Sequence, residues 1–204
     1  MEIQILYDHF KDTFEIQKSN IQKRNYLTII CLCLIALLSF QISNPNETTE
    51  ISAELIKKNI GNIKIDFKYI NNILTFSLLW TVITYYQINL QIEKLFNYIH
   101  TIEEKLSKDL KLPEFSREGK SYLSNYPFLL TFVDTIYKLG FPLALIFVSI
   151  IKFITEMKQY NEPFKNGHFW FDIIIIFSII IVSLLYLCNV YFKSFRKKRR
   201  MNNS

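Results

Sequence analysis

The chain has few of the residues that interrupt regular structure: four glycines and five prolines among 204 residues. This scarcity excludes long disordered linkers and predicts a chain that is mostly helical. Cysteine and histidine are also scarce, with three of each. The odd number of scattered cysteines argues against a disulfide framework, and neither residue type clusters as a zinc site requires.

Sequence motifs of enzymes are missing as well. The chain contains no nucleophile motif, no phosphate-cradling glycine loop, no HExxH and no dinucleotide fingerprint. The histidines His9, His100 and His168 are far apart in the sequence. We therefore expect a protein that is not an enzyme and that has no metal or other cofactor.

Charge is absent from three long stretches, which lie between Arg24 and Glu47, between Lys68 and Glu93, and between Asp172 and Lys193. Each stretch has about 20 residues, which at about 1.5 Å per residue matches a hydrocarbon core of about 30 Å. A fourth apolar run follows Pro127. The sequence therefore predicts an all-α, four-span transmembrane helical bundle with cytoplasmic helical extensions.

These runs divide the chain into nine segments. They are a cytoplasmic amphipathic helix at 1–24, span 1 at 25–42, an outer loop with an interfacial helix at 43–69, span 2 at 70–90, a cytoplasmic stalk and loop at 91–126, span 3 at 127–154, an outer loop at 155–169, span 4 at 170–191 and a basic tail at 192–204.

The basic residues predict the orientation of these spans. With the N-terminus inside, the cytoplasmic segments hold sixteen lysines and arginines and the outer loops hold seven, counting Lys152 as outer. This asymmetry follows the positive-inside rule. We expect an inner-membrane protein with both termini in the cytoplasm.

The third span carries the sharpest candidate site, a charge pair made by Asp134 and Lys138. Residues four apart lie on one helix face, and charges inside a membrane are functional candidates. Gly140 and Pro142 follow, and together they predict a kink that could act as a gate. Alternatively, both charges lie at the inner interface and Lys138 reaches towards water.

Span 2 carries polar residues along one side, where they either join helices or line a wet path. These residues, which we call the polar stripe, are Asn71, Thr75, Thr81, Tyr85 and Asn89.

Beyond span 2, apolar residues alternate at spacings of three and four, as in the seam of a coiled coil. No glycine or proline lies between Ile70 and Leu112, so one helix of about 40 residues is expected. The seam either packs within the chain or forms a subunit or partner interface. Its residues are Ile92, Leu95, Ile99, Ile102 and Leu106.

The tail after span 4 is strongly basic, and we expect it to bind anionic lipid of the bilayer. Nucleic acid is the less favoured partner, because no recognisable fold presents bases to these residues. The residues are Lys193, Arg196, Lys197, Lys198, Arg199 and Arg200.

In architecture the chain resembles small four-span membrane proteins of bacterial anti-phage loci. These are the membrane accessory proteins of type VI CRISPR systems and the membrane component of Kiwa-type systems. The matching features are the amphipathic arm at Ile3 to Ile21, the stalk at Ile92 to Leu110 and the basic tail.

The resemblance implies an oligomeric accessory or effector, with a pore as one form of its response, that couples a cytosolic nuclease or sensor to the membrane. The alternatives are a solute or ion carrier or channel that uses Asp134 and Lys138, and an inert membrane scaffold.

Overall fold

The computed structural model describes residues 2–43, 67–110, 128–159 and 167–202, and all of them are helical. No strand occurs in these ranges, so the all-α prediction is confirmed for the part of the chain described. The elements are α1 (Glu2–Ser43), α2 (Phe67–Leu110), α3 (Phe128–Thr135), a π-helical turn (Ile136–Gly140), α4 (Phe141–Gln159) and α5 (Gly167–Asn202).

Among the described residues, four helical stretches are long and apolar enough to cross a membrane. They are Gln4–Gln41, Tyr69–Lys108, Phe132–Lys158 and Gly167–Phe192. Lipid-exposed spans must satisfy their backbone hydrogen bonds internally, and uninterrupted helices do so. The fold is therefore a four-span helical bundle, and the chain is a multi-pass membrane protein.

α2 is one uninterrupted helix of 44 residues, as the missing glycine and proline predict. At about 1.5 Å per residue it is about 66 Å long, roughly twice the thickness of a hydrocarbon core. α1 has 42 residues and is similar in length. Both helices therefore continue beyond the length that a bilayer needs.

The third span begins as α3 and changes to a π-helical turn at Ile136–Gly140 before α4. Pro142 explains this change, because it has no N–H and its ring would clash with the carbonyl of Lys138 in a regular α-helix. A π-helical turn widens the backbone at this place. The kink predicted at Gly140 and Pro142 stays a prediction, and the structure has a π-helical turn at Ile136–Gly140, just before Pro142.

The chain divides into two compact units. Unit 1 comprises Met1–Thr28 and Thr84–Tyr137, and unit 2 comprises Ile29–Ile83 and Lys138–Ser204. The core of unit 1 includes Tyr85, Tyr86, Ile99, Ile102 and Leu106, and that of unit 2 includes Cys31, Leu38, Leu78, Leu145, Phe169, Ile176 and Ile179.

Within unit 2, α4 and α5 pack against each other and leave large apolar side chains exposed on their outer faces. Phe147 on α4 and Leu185 on α5 are each about two-thirds exposed. Exposed apolar surface of this extent marks contact with a membrane or a partner. Lipid contact explains it for helices of spanning length.

Two predictions fall outside the residues described. The interfacial helix predicted within the outer loop at 43–69 lies on 49–60, and the irregular cytoplasmic loop lies on 113–126. In the basic tail, the backbone of α5 continues as a helix to Asn202, while the side chains from 193 onwards are outside the description.

Candidate functional site

The polar stripe lies inside the protein. All five residues, Asn71, Thr75, Thr81, Tyr85 and Asn89, are buried. The Thr75 hydroxyl donates to the Asn71 carbonyl at 2.9 Å, and the Thr81 hydroxyl donates one turn back in the same way. Such bonds satisfy the threonine hydroxyl groups within α2 itself. Because all five side chains are buried, the stripe does not face lipid.

Asn71, at one end of the stripe, joins three charged side chains from two other helices. Lys152 and Glu156 lie four residues apart on α4, and Asp172 lies in the second turn of α5. The Lys152 Nζ atom is 2.7 Å from Glu156 Oε1 and 2.9 Å from Asn71 Oδ1. Asn71 Nδ2 is 3.2 Å from Glu156 Oε1 and 2.7 Å from Asp172 Oδ2. We call these four residues the charge cluster.

The charge cluster is shielded from its surroundings by the protein. Asp172 is 1% exposed, Lys152 4% and Glu156 6%. Removing charges from water carries a penalty of several kcal/mol per ion, and close, well-directed contacts are needed to offset it. The distances within the charge cluster meet that requirement.

The charge cluster lies near one end of the spans rather than at their middle. Asn71 is in the second turn of α2, Asp172 is in the second turn of α5, and Glu156 is three residues before the end of α4. The desolvation therefore comes from protein packing, and the penalty for a charge at the bilayer midplane does not apply.

The orientation of the Asn71 amide follows from its partners. A lysine ammonium has donors only, so the atom of Asn71 that faces Lys152 must be the carbonyl oxygen. The amide nitrogen then faces Glu156 and Asp172, and it donates to both. One amide group thus connects one cation with two carboxylates.

The charges of the cluster are unequal when every group is ionised, with one ammonium against two carboxylates. One atom is also left over: Glu156 Oε2 is buried and has no hydrogen-bond partner among the described residues. Native proteins rarely leave such an atom unsatisfied, and each case needs an explanation.

A cavity opens on the other side of the same turns of α2 and α5. It has a volume of about 720 Å³ and is lined by Tyr69, Asn72, Ile73, Phe76, Gly167, His168 and Phe171. Asn72 Nδ2 and His168 Nδ1 are 3.1 Å apart, and the Tyr69 ring meets the His168 ring edge-on at 4.8 Å. The wall is mainly apolar, as expected of a surface in contact with lipid chains.

The predicted charge pair is located elsewhere. Asp134 lies in α3 and Lys138 in the π-helical turn, and both side chains are half-buried. Gly140 is exposed and Pro142 is buried. Lys138 precedes Lys152 by 14 residues, which is about 21 Å along a helix. The buried charges of unit 2 are therefore a separate group from the predicted pair.

The predicted seam is largely covered. Ile99, Ile102 and Leu106 are buried, while Ile92 and Leu95 are half-buried. Burial within unit 1 favours the intramolecular alternative over an open docking surface, because an apolar side chain gains most when it leaves the solvent.

Unit 1 also contains three contacts that involve polar side chains. His9 Nε2 is 2.8 Å from the Tyr98 hydroxyl, and the Arg24 guanidinium carbon lies 4.3 Å from the centre of the Tyr137 ring. The Tyr85 hydroxyl, from the polar stripe, donates to the Tyr137 carbonyl at 2.8 Å.

Sequence reasoning missed most of the charge cluster. It counted Lys152 in an outer loop, but α4 includes Lys152 and its side chain is buried. A signal was present: Lys152 and Glu156 have opposite charges at a spacing of four, inside a run too apolar to be a loop. The third partner depends on tertiary packing, which the spacing alone does not reveal.

The chemistry available to this arrangement is the binding of charge. No group of three or more His, Cys, Asp or Glu side chains that could hold a metal ion occurs among the described residues. Cys31, Cys33 and Cys188 are free thiols. Comparison with models of protein families, with curated proteins and with solved structures finds no match to this chain.

Proposed function

We propose that this protein is a non-enzymatic carrier or channel that moves an ion or a small charged solute across the membrane. The charge cluster carries this proposal. Three ionisable side chains from α4 and α5 meet at Asn71 in a bundle that apolar side chains could hold together at lower energetic cost. Charges that are kept at such a cost are candidates for a function other than stability.

The polar stripe supports the same function. From Asn71 to Asn89 it covers 18 residue steps of α2, or about 27 Å, close to the thickness of a hydrocarbon core. Its members are buried on one face of the helix, where they can solvate a charge that has left the cluster.

The competing structural role of the cluster is to join helices. Hydrogen bonds between spans contribute on average about 0.6 kcal/mol each, and Asn71 could supply them without any charge. Joining helices does not require unequal numbers of positive and negative charges. A transport site uses this inequality, because the site must alternate between binding an ion and releasing it.

Reconstitution into liposomes tests the proposal. We expect the full chain to dissipate an imposed proton, sodium, potassium or chloride gradient, and we expect Glu156→Gln and Asp172→Asn to reduce the rate at least tenfold. Matched controls are the exposed residues Glu104 and Asp12, changed to Gln and Asn. Gradients that decay no faster than in empty liposomes would refute transport.

A second candidate is an oligomeric accessory or effector of a bacterial defence system, located in the inner membrane with both termini in the cytoplasm. The length of α2, about twice a hydrocarbon core, favours it, since the excess can reach a cytosolic nuclease or sensor. In this proposal the tail from Lys193 to Arg200 binds anionic lipid.

Because the seam is covered, the partner surface is better sought on α1. Ile5 and Ile16 of unit 1 are more than half exposed although both are large and apolar. We expect Ile5→Lys together with Ile16→Lys to abolish capture of a cytosolic partner in mild detergent from the native host, and to leave gradient dissipation unchanged. Mass photometry of the eluate reports the oligomer.

An inert scaffold, the third alternative, would show neither flux nor a conductance that depends on the partner. A lone monomer or dimer without a partner would refute the accessory proposal, and it would leave the transport proposal to the liposome experiment.

A further inference from the structure

We propose that Glu156 and Asp172 hold one exchangeable proton between them, which makes H⁺ the ion that binds at the charge cluster. Its role as the transported or coupling ion rests on the proposed function. The bound proton itself is a separate property that can be measured without transport.

The first step is the charge balance around the carboxyl pair. From α2 the pair faces the neutral side chains of Asn71 and Thr75, and from α4 it faces Lys152. His168, one turn before Asp172 on α5, directs Nδ1 towards Asn72. One ammonium therefore opposes two carboxylates, and one added proton makes the group neutral.

The second step identifies the buried oxygen atom that lacks a hydrogen-bond partner. Glu156 Oε1 accepts from both Lys152 Nζ at 2.7 Å and Asn71 Nδ2 at 3.2 Å, so it is occupied as an acceptor. Glu156 Oε2 is buried and unpartnered within the described part of the chain. The Asp172 side chain lies within hydrogen-bonding reach of Glu156, so a proton shared between the two carboxyl groups gives this acceptor a partner. Binding forms one O–H bond between a carboxylate lone pair and a proton from water, and release breaks the same bond and returns the proton, so no group is oxidised or reduced.

The third step excludes a metal cation as the occupant. A cation would need oxygen atoms directed at it, but the Asn71 oxygen already accepts from Lys152, and the Asn71 N–H group points at both carboxylates. Hard cations such as Ca²⁺ take six or more oxygen ligands, which two carboxyl groups do not supply. A proton needs one oxygen.

Infrared difference spectroscopy on the purified full chain tests this inference. We expect a carbonyl band of a protonated carboxylic acid at neutral pH that disappears at strongly alkaline pH. Glu156→Gln and Asp172→Asn should each remove it. The controls Glu104→Gln and Asp12→Asn should retain it, because both residues are exposed.

Lys152→Met keeps both carboxyl groups and tests the charge balance directly. Without the ammonium the pair should hold two protons, so the band should grow about twofold at mildly acidic pH. A band unchanged by Lys152→Met, or the absence of any band sensitive to Glu156 or Asp172, would overturn the inference. A band that disappears when sodium replaces a bulky organic cation would assign the site to a metal ion instead.

The liposome experiment separates this inference from the proposed function. A band without gradient dissipation would leave the proton site standing and refute transport. Dissipation of a sodium or chloride gradient without the band would support transport and refute the proton site.

Discussion

Units 1 and 2 arrange their polar side chains differently. In unit 1 His9 meets Tyr98 at an exposed position, and the half-buried Arg24 lies over the Tyr137 ring. In unit 2 a single amide, Asn71, connects α2 with charged groups of α4 and α5. A pair can be lost alone, whereas loss of one member of the cluster leaves the others unbalanced. The two units should therefore respond very differently to single substitutions.

The largest effect should come from Lys152→Met. It removes the ammonium that balances two buried carboxyl groups, and breaking a buried ion pair costs about 3–5 kcal/mol of the free energy of unfolding. Denaturant titration in mixed micelles measures this loss. It should be greater at alkaline pH, where protons cannot neutralise the carboxyl pair. The control Lys158→Met changes an exposed lysine on the same helix and should shift stability by about 0.5 kcal/mol or less.

A smaller loss is expected for Asn71→Leu. The substitution leaves Lys152, Glu156 and Asp172 ionisable but removes the amide that connects them, and hydrogen bonds to charged groups contribute about 1.5–3 kcal/mol. The same titration measures it, with Asn97→Leu on the exposed face of α2 as the control. Equal effects of the two substitutions would show that the amide does not connect the charges.

Unit 1 should be less sensitive. Tyr98→Phe removes the hydroxyl that contacts His9, and a hydrogen bond in an exposed setting contributes about 1 kcal/mol or less. Tyr26→Phe, at a strongly exposed tyrosine of α1, is the control. A loss for Tyr98→Phe as large as that for Asn71→Leu would contradict the distinction between the two units.

The sequence was sufficient for the spans and for the long helix α2, because hydrophobic length and the missing glycine and proline are local properties. It was also sufficient to place Asn71 and Thr75 on one side of α2. It was not sufficient for the charge cluster. Lys152 was counted with the outer loop, and only the packing of α4 against α5 brings Glu156 near Asp172.

The smallest loss of stability should follow the most drastic change, the combined replacement of Lys152, Glu156 and Asp172 by leucine. Apolar replacement of a whole buried ion network is often neutral or stabilising by about 1–4 kcal/mol, because the desolvation penalty disappears with the charges. We therefore expect the triple variant to fold at least as stably as the Lys152→Met variant, and to show neither the infrared band nor gradient dissipation. If it instead unfolds more readily than Lys152→Met, the cluster stabilises the bundle, and its charges are structural. If stability is retained and flux is lost, the charges of unit 2 serve to bind an ion and not to stabilise the fold.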